Sequence, residues 1–66
     1  MQNSMRRLRI KKGITQADIA IGTGIHPSTL CRLERGVIRG NRSQWRKIAR
    51  VLGVKLTEVF PSEENN

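Results

Sequence analysis

The sequence predicts an all-α fold, built as a compact domain of five short helices. No run among its 66 residues alternates apolar and polar side chains over enough positions to indicate a strand. Five glycines each follow a stretch that is typical of a helix, where C-terminal caps and the turns behind them are expected. These glycines are Gly13, Gly24, Gly36, Gly40 and Gly53.

The first two predicted helices are marked by their N-terminal caps. Helix one begins after Asn3 or Ser4, both good N-cap residues, and continues to Lys12. Helix two begins at Thr15, because its hydroxyl and the carboxylate of Asp18 three residues later have the spacing of a capping box. Local polar side chains therefore predict where both helices start.

The last three predicted helices are marked by a proline, an apolar stripe and a short closing segment. Helix three begins after His26 with Pro27 in its first position, where the missing N–H costs nothing, and continues to Arg35. Helix four covers residues 41–52 and has apolar side chains at i, i+3, i+4 and i+7. These are Trp45, Ile48, Ala49 and Leu52. A fifth helix or turn at about 56–60 completes the domain.

The charge of the chain is strongly positive and unevenly distributed. Lys and Arg number 13 against 5 Asp and Glu, which gives a net charge of +8. All the cations lie in residues 1–55, where only Asp18 and Glu34 oppose them, so this part carries +11. Such a field attracts a polyanion, and nucleic acid is the commonest one in the cytoplasm. A merely solubilising surface charge is the alternative and predicts the same excess.

Several protein classes are excluded by what the sequence lacks. One cysteine, Cys31, and one histidine, His26, cannot form an internal disulfide or a zinc site of three or four Cys and His ligands. No apolar run is long enough to span a bilayer or to act as a signal peptide. No nucleophile–base pair or glycine-rich phosphate loop can be assembled. We therefore expect a cytoplasmic, non-enzymatic protein without metal or cofactor, its domain at residues 1–60 and a frayed acidic tail at 61–66.

The most informative segment is residues 16–35, QADIAIGTGIHPSTLCRLER. Two short helices are separated by a turn at Gly24, and small or apolar side chains are spaced to pack the helices together. These side chains are Ile19, Ala20, Ile25, Leu30 and Leu33. This is the layout of a helix-turn-helix, whose second helix enters the major groove of DNA.

On these residues the chain resembles the Cro and phage-repressor type of helix-turn-helix protein, with its lambda-repressor-like fold of five helices. The matching stretches are LRIKKGITQADIA, GIHPSTLCRLERG and WRKIARVLGVKLTEVF, which together cover about residues 5–60. The resemblance implies a bacterial or phage transcription regulator that binds double-stranded operator DNA at the nucleoid, usually as a symmetric dimer. His26 departs from the family's usual Ser or Thr cap, and Gly22 departs from a longer helix former.

The third helix supplies the expected base-reading residues. A helical projection at 100° per residue separates an inner side with Leu30 and Leu33 from an outer side. The outer residues, which the resemblance also assigns to the groove, are Pro27, Ser28, Cys31 and Arg32. Arg32 is the strongest candidate, because a guanidinium pairs in bidentate fashion with guanine O6 and N7. A phosphate contact or a solvated charge is its alternative role.

The expected phosphate-binding residues surround that helix. Helix N-termini favour phosphate oxygens, and the loop between helices three and four is rich in cations. The expected set is Gln16, His26, Arg35, Arg39, Asn41 and Arg42. For His26 the alternative role, a plain capping or solvated residue, is favoured over a phosphate contact. The resemblance further implies a structural ion pair between Arg9 and Glu34.

The expected partner besides DNA is a second copy of the chain. One recognition helix reads only a few base pairs, so a palindromic operator and a homodimer are expected, at least on DNA. Apolar residues near the C-terminus suggest the dimer surface, namely Val51, Leu56, Val59 and Phe60. Two rival functions remain open: an antitoxin or anti-repressor module that uses the same fold to bind a partner protein, and a cationic peptide that folds on membranes.

Overall fold

The computed structural model describes residues 3–60, which form five helices and contain no strand. In chain order these are α1 (Met5–Lys12), α2 (Gln16–Thr23), α3 (Pro27–Glu34), α4 (Arg42–Leu52) and α5 (Leu56–Val59). The predicted all-α class is confirmed. The expected frayed tail at 61–66 lies outside the described residues. Four boundaries differ by one residue. Thr15 and Asn41 are the N-caps of α2 and α4, so these helices begin one residue later. α3 ends at Glu34 with Arg35 as its C-cap, and α5 ends at Val59.

Helices α2, α3 and α4 begin where the side chain of the N-cap residue accepts from an exposed backbone N–H group. The Thr15 hydroxyl accepts from the Asp18 N–H at 3.0 Å, and the Asp18 carboxylate accepts from the Thr15 N–H at 2.9 Å, as the sequence predicted. The hydrogen bond that the carboxylate accepts from the Thr15 backbone, together with one from the Thr15 side chain, lowers the pKa of Asp18. Asn41 and Gln44 form a second capping box at the start of α4.

All five helices contribute side chains to one hydrophobic core. The buried apolar residues are Met5, Leu8, Ile19, Leu30, Leu33, Trp45, Ile48, Ala49, Leu52, Val59 and Phe60. Trp45 and Phe60 stack with ring centroids 5.5 Å apart. Burial of each large side chain contributes about 1.5–3 kcal/mol, so this set provides the main driving force for folding. Trp45 is a core residue, as its position on the apolar stripe predicted.

Val59 and Phe60 are part of this core, and their expected place in a dimer surface is wrong. Their exposed fractions are 0% and 1% within a single chain, because both side chains are enclosed by the other helices. The Val59 carbonyl also accepts from the Ser4 N–H at 2.9 Å, which ties the end of α5 to the start of α1. Val51 and Leu56 are half-buried and pack on the edge of the core.

Candidate nucleic-acid interface

Helix α3 has one buried and one exposed side. Leu30 and Leu33 are 0% and 1% exposed and fix the helix to the core. Pro27, Ser28 and Arg32 are exposed on the opposite side, and Cys31 between them is half-buried and carries a free thiol. All four expected base-reading residues thus lie along one side of α3. The outward side chains near the helix start are small, so that a base edge can approach closely.

The start of α3 is capped by an imidazole ring. His26 Nδ1 accepts from the backbone N–H of Ser28 at 3.1 Å and lies 2.8 Å from the Ser28 hydroxyl oxygen. The histidine nitrogen accepts the backbone hydrogen bond that a Ser or Thr oxygen usually accepts at an N-cap. The capping contact therefore places an exposed ring beside the first exposed polar side chain of the helix.

The end of α3 is held by a cluster around Glu34. Arg9 Nε donates to Glu34 Oε1 at 2.8 Å, and Arg9 Nη2 donates to Oε2 at 3.3 Å. Gln16 Nε2 donates to the same Oε2 at 2.6 Å. The Glu34 side chain is 8% exposed and that of Arg9 16%. Because these residues come from α1, α2 and α3, the cluster fixes the angle between the two helices of the motif and the rest of the domain.

Gln16 consequently has a contact that its expected phosphate role did not include. Its amide nitrogen is held by Glu34, while the residue stays half-buried at the first position of α2. The amide group has two N–H bonds, so one hydrogen bond to Glu34 leaves the second available for an oxygen outside the protein. The Glu34 contact thus orients the side chain at the helix N-terminus.

The loop between α3 and α4 is anchored despite its exposure. Trp45 Nε1 donates to the Arg39 carbonyl at 2.8 Å, and the Arg39 guanidinium lies over the Trp45 ring, 5.9 Å from its centroid. Gly40 has a φ of +74°, and a Cβ there would lie 2.5 Å from Leu33 Cδ2. The loop is therefore packed against the core and holds the Arg39 backbone in one place.

The cations of this loop extend the exposed side of α3. Four exposed polar residues lie between the C-cap of α3 and the first residue of α4, namely Arg35, Arg39, Asn41 and Arg42. We call these four residues the cationic rim. Only one acid, Glu34, lies within the segment from His26 to Arg50, and Arg9 pairs with it. The rim and the outer side of α3 thus form a positively charged surface suited to a polyanion.

One contact at this surface, the hydrogen bond between Gln16 and Glu34, was not anticipated from the sequence, whereas a capping role for His26 was. Gln16 and Glu34 are 18 residues apart, and their hydrogen bond depends on how α2 and α3 cross. The ring cap of His26 had a local signal, since a polar residue directly before Pro27 is at the N-cap position. Among residues 3–60, no helix is long and apolar enough to span a membrane, and no group of three His, Cys, Asp or Glu could hold a metal ion.

Comparison with known proteins agrees with this geometry. The family model described as Helix-turn-helix matches residues 5–59. An uncharacterized HTH-type transcriptional regulator of Methanocaldococcus jannaschii is 29% identical over 65 residues, covering 98% of each chain. A second uncharacterized HTH-type transcriptional regulator, from Archaeoglobus fulgidus, is 32% identical over 60 residues, covering 91% of this chain and 86% of that protein. The protein belongs to the helix-turn-helix family of DNA-binding transcription regulators, which are not enzymes.

Proposed function

We propose that this protein regulates transcription by inserting α3 into the major groove of a specific double-stranded operator. The observation that carries the proposal is the division of α3 between Leu30 and Leu33, which are buried, and Ser28 and Arg32, which are exposed. A helix fixed by its apolar side and free on its polar side has the arrangement needed for reading base edges. The protein would act in the cytoplasm, on the nucleoid.

Four residues would meet the bases. Arg32 would donate two hydrogen bonds to guanine O6 and N7, the commonest specific contact in the major groove. Ser28, near the start of the helix, would contact a base edge or an adjacent phosphate. The half-buried Cys31 offers an apolar side chain to a thymine methyl, and Pro27 would pack against the groove wall.

Phosphate contacts would hold the helix in register on both sides. Arg39 is the best-supported member of this group, because its backbone is anchored by Trp45 while its guanidinium stays exposed. Gln16 would use its second amide N–H beside the α2 N-terminus. The full proposed set is Gln16, His26, Arg35, Arg39, Asn41 and Arg42.

Binding to a palindromic operator would require two copies of the chain. Recognition helices of such dimers lie about 34–36 Å apart on one side of the duplex. With Val59 and Phe60 enclosed in the core, the apolar residues left for this contact are the half-buried Val51 and Leu56 at the edge of α4 and α5. Light scattering should detect a dimer on the operator, and a single copy on a palindromic duplex would contradict this part.

Selection of bound duplexes from a random pool tests the proposed function directly. We expect a recovered sequence with two inverted half-sites and a strong preference for guanine at one position in each. The α3 amides should also shift in NMR spectra when the selected duplex is added. If those amides remain unchanged at saturation, α3 is not the contact surface. Failure to recover any sequence, combined with co-purification of a stoichiometric protein, would instead favour the antitoxin or anti-repressor function.

A further inference from the structure

The contact between His26 and Ser28 determines which protons the two side chains can offer. The Ser28 backbone N–H points at His26 Nδ1 from 3.1 Å, and the Ser28 hydroxyl oxygen lies 2.8 Å from the same nitrogen. A backbone N–H can only donate. Nδ1 must therefore carry a lone pair and no proton, which leaves the single ring proton of the neutral imidazole on Nε2.

The direction of the second contact follows from that assignment. With Nδ1 unprotonated, the only proton between Ser28 Oγ and Nδ1 is that of the hydroxyl group. The Ser28 O–H therefore donates to the ring. Both contacts share one nitrogen, and the hydrogen bond from the hydroxyl turns the oxygen lone pairs of Ser28 away from His26.

We infer that His26 makes Ser28 a hydrogen-bond acceptor and thereby determines its base specificity, an inference that rests on the proposed placement of α3 in the major groove. A free serine hydroxyl can donate or accept and contacts any base. A hydroxyl whose proton is held by the ring can only accept, and it repels other acceptors. In the major groove the base donors are the amino groups of adenine (N6) and cytosine (N4), whereas guanine O6 and thymine O4 are acceptors. Ser28 would accordingly select adenine or cytosine on the strand that it faces.

The same tautomer gives His26 a defined role toward the DNA backbone. Its one remaining N–H, at Nε2, is on the far side of the ring from Ser28 and belongs to an exposed residue. Phosphate oxygens only accept hydrogen bonds, so Nε2–H matches them. His26 is thus a positioning residue for Ser28 and, at the same time, a hydrogen-bond donor to a phosphate of the DNA backbone.

The inference is tested by comparing the sequences selected by the wild-type protein and by variants. The wild-type protein should prefer adenine or cytosine over guanine and thymine at one position by at least about fivefold, the lower end of the cost of a mismatched base pair. Ser28→Ala should abolish that preference. Ser43→Ala, which removes an exposed hydroxyl outside α3, should leave it unchanged.

The decisive variants are those at residue 26. His26→Ala removes the acceptor, and the preference at that one position should fall to less than about twofold while the guanine position read by Arg32 is kept. His26→Asn supplies an amide oxygen that can accept from both groups of Ser28, so it should retain the preference and the stability of the cap. A preference that survives His26→Ala unchanged, or is lost equally in His26→Asn, overturns the inference.

A measurement without DNA keeps the inference independent of the proposed function. Imidazole ¹⁵N NMR of the free protein in mildly alkaline buffer should report an unprotonated Nδ1 and a protonated Nε2. A proton on Nδ1 would overturn the inference even if DNA binding is intact. If the wild-type protein instead selects no duplex at all, the proposed function fails, whereas selection that ignores residue 26 contradicts only the present inference.

Discussion

Gly22 in α2 lies against Val51 in α4 so closely that a Cβ on the glycine would be 2.7 Å from Val51 Cγ2. Real Cβ atoms do not approach other carbons to this distance, and the valine side chain is stiff because it branches at Cβ. The absence of a side chain at residue 22 therefore allows the first helix of the motif to approach α4. The departure of Gly22 from the family pattern has a packing reason.

Gly22→Ala is expected to destabilise the fold by about 1 kcal/mol. In an open helix the same change would stabilise by about 1 kcal/mol through helix propensity, but here the added methyl must displace Val51. In a Val51→Ala background the sign should reverse, because the obstructing methyl groups are gone. Urea unfolding followed by Trp45 fluorescence measures the change in stability in both backgrounds. Equal effects in the two backgrounds would show that the contact imposes no constraint.

Removing Glu34 alone should lower the stability of the fold more than removing both Glu34 and its partner Arg9. Glu34→Ala removes the carboxylate that accepts from Arg9 and Gln16, and the Arg9 guanidinium keeps its hydrogen bond to the Ile14 carbonyl. We expect a cost of about 2–3 kcal/mol, below the usual 3–5 for a fully buried pair because Arg9 keeps some access to water. The double variant Arg9→Met, Glu34→Ala should recover part of this loss. A double-mutant cycle by urea unfolding tests it, and strictly additive losses would contradict the expectation.

Two glycines with the same φ allow the effect of backbone strain to be separated from that of packing. Gly24 and Gly40 both have a φ of +74°, but a Cβ at Gly24 would meet nothing within 4 Å. At Gly40 it would lie 2.5 Å from Leu33 Cδ2 and 2.7 Å from Gln44 Oε1. Gly24→Ala should therefore cost only about 1–2 kcal/mol from the left-handed backbone, and Gly40→Ala clearly more. Thermal unfolding measures the loss of stability in each variant, and equal losses would contradict this expectation.

Arg32 and Arg39 should affect DNA binding in different ways. Arg32→Ala should relax the preference for one base pair at a cost of about 1–3 kcal/mol, because a base contact is lost. Arg39→Ala should weaken binding to all duplexes alike and reduce the slope of log K against log salt by about one, since one phosphate contact disappears. Fluorescence anisotropy across salt concentrations measures both.

The exposed Arg6 in α1 provides the matched control for these two variants. Arg6→Ala removes the same charge from a helix that is not assigned to the proposed interface, and it should leave both the base preference and the salt slope nearly unchanged. A uniform loss of affinity with Arg32→Ala would contradict its role in base reading. Because Arg39 also lies over Trp45, the thermal unfolding of Arg39→Ala should be checked before its binding is interpreted.

The capping box of α2 should make stability depend on pH in the acid range. The hydrogen bond from the Thr15 backbone, with that from its side chain, lowers the pKa of Asp18. The carboxylate is thus easier to ionise in the folded state, so its contribution is present above the ordinary carboxyl pKa and is lost as the pH falls through the lowered value. Asp18→Asn should flatten the acid side of the Tm–pH profile. An unchanged profile would contradict this expectation.

The features predicted well are those determined by neighbours in the chain. The Thr15–Asp18 capping box and Pro27 after His26 act over two or three residues, so the starts of α2 and α3 could be predicted without the fold. The burial of Trp45 followed from the helical period alone. Signals of this kind do not require knowledge of how the helices pack.

The features predicted poorly depend on residues far apart in the chain. Val59 and Phe60 were assigned to a surface because a short apolar helix carries no sign of the core that encloses it. Their burial requires Trp45 and the start of α1 to meet them. The hydrogen bond between Gln16 and Glu34 likewise exists only once α2 and α3 cross.

The hydrogen bond from Ser4 to Val59 gives the domain one further property. It joins residues 55 positions apart and closes almost the whole described chain into a ring. Neither α1 nor α5 can complete its packing while the other is detached, so we expect unfolding from either end to propagate through the whole molecule. A circularly permuted protein that keeps Asn3 and Phe60, joins the two ends by a short linker and is opened in the loop after α3 should retain the fold.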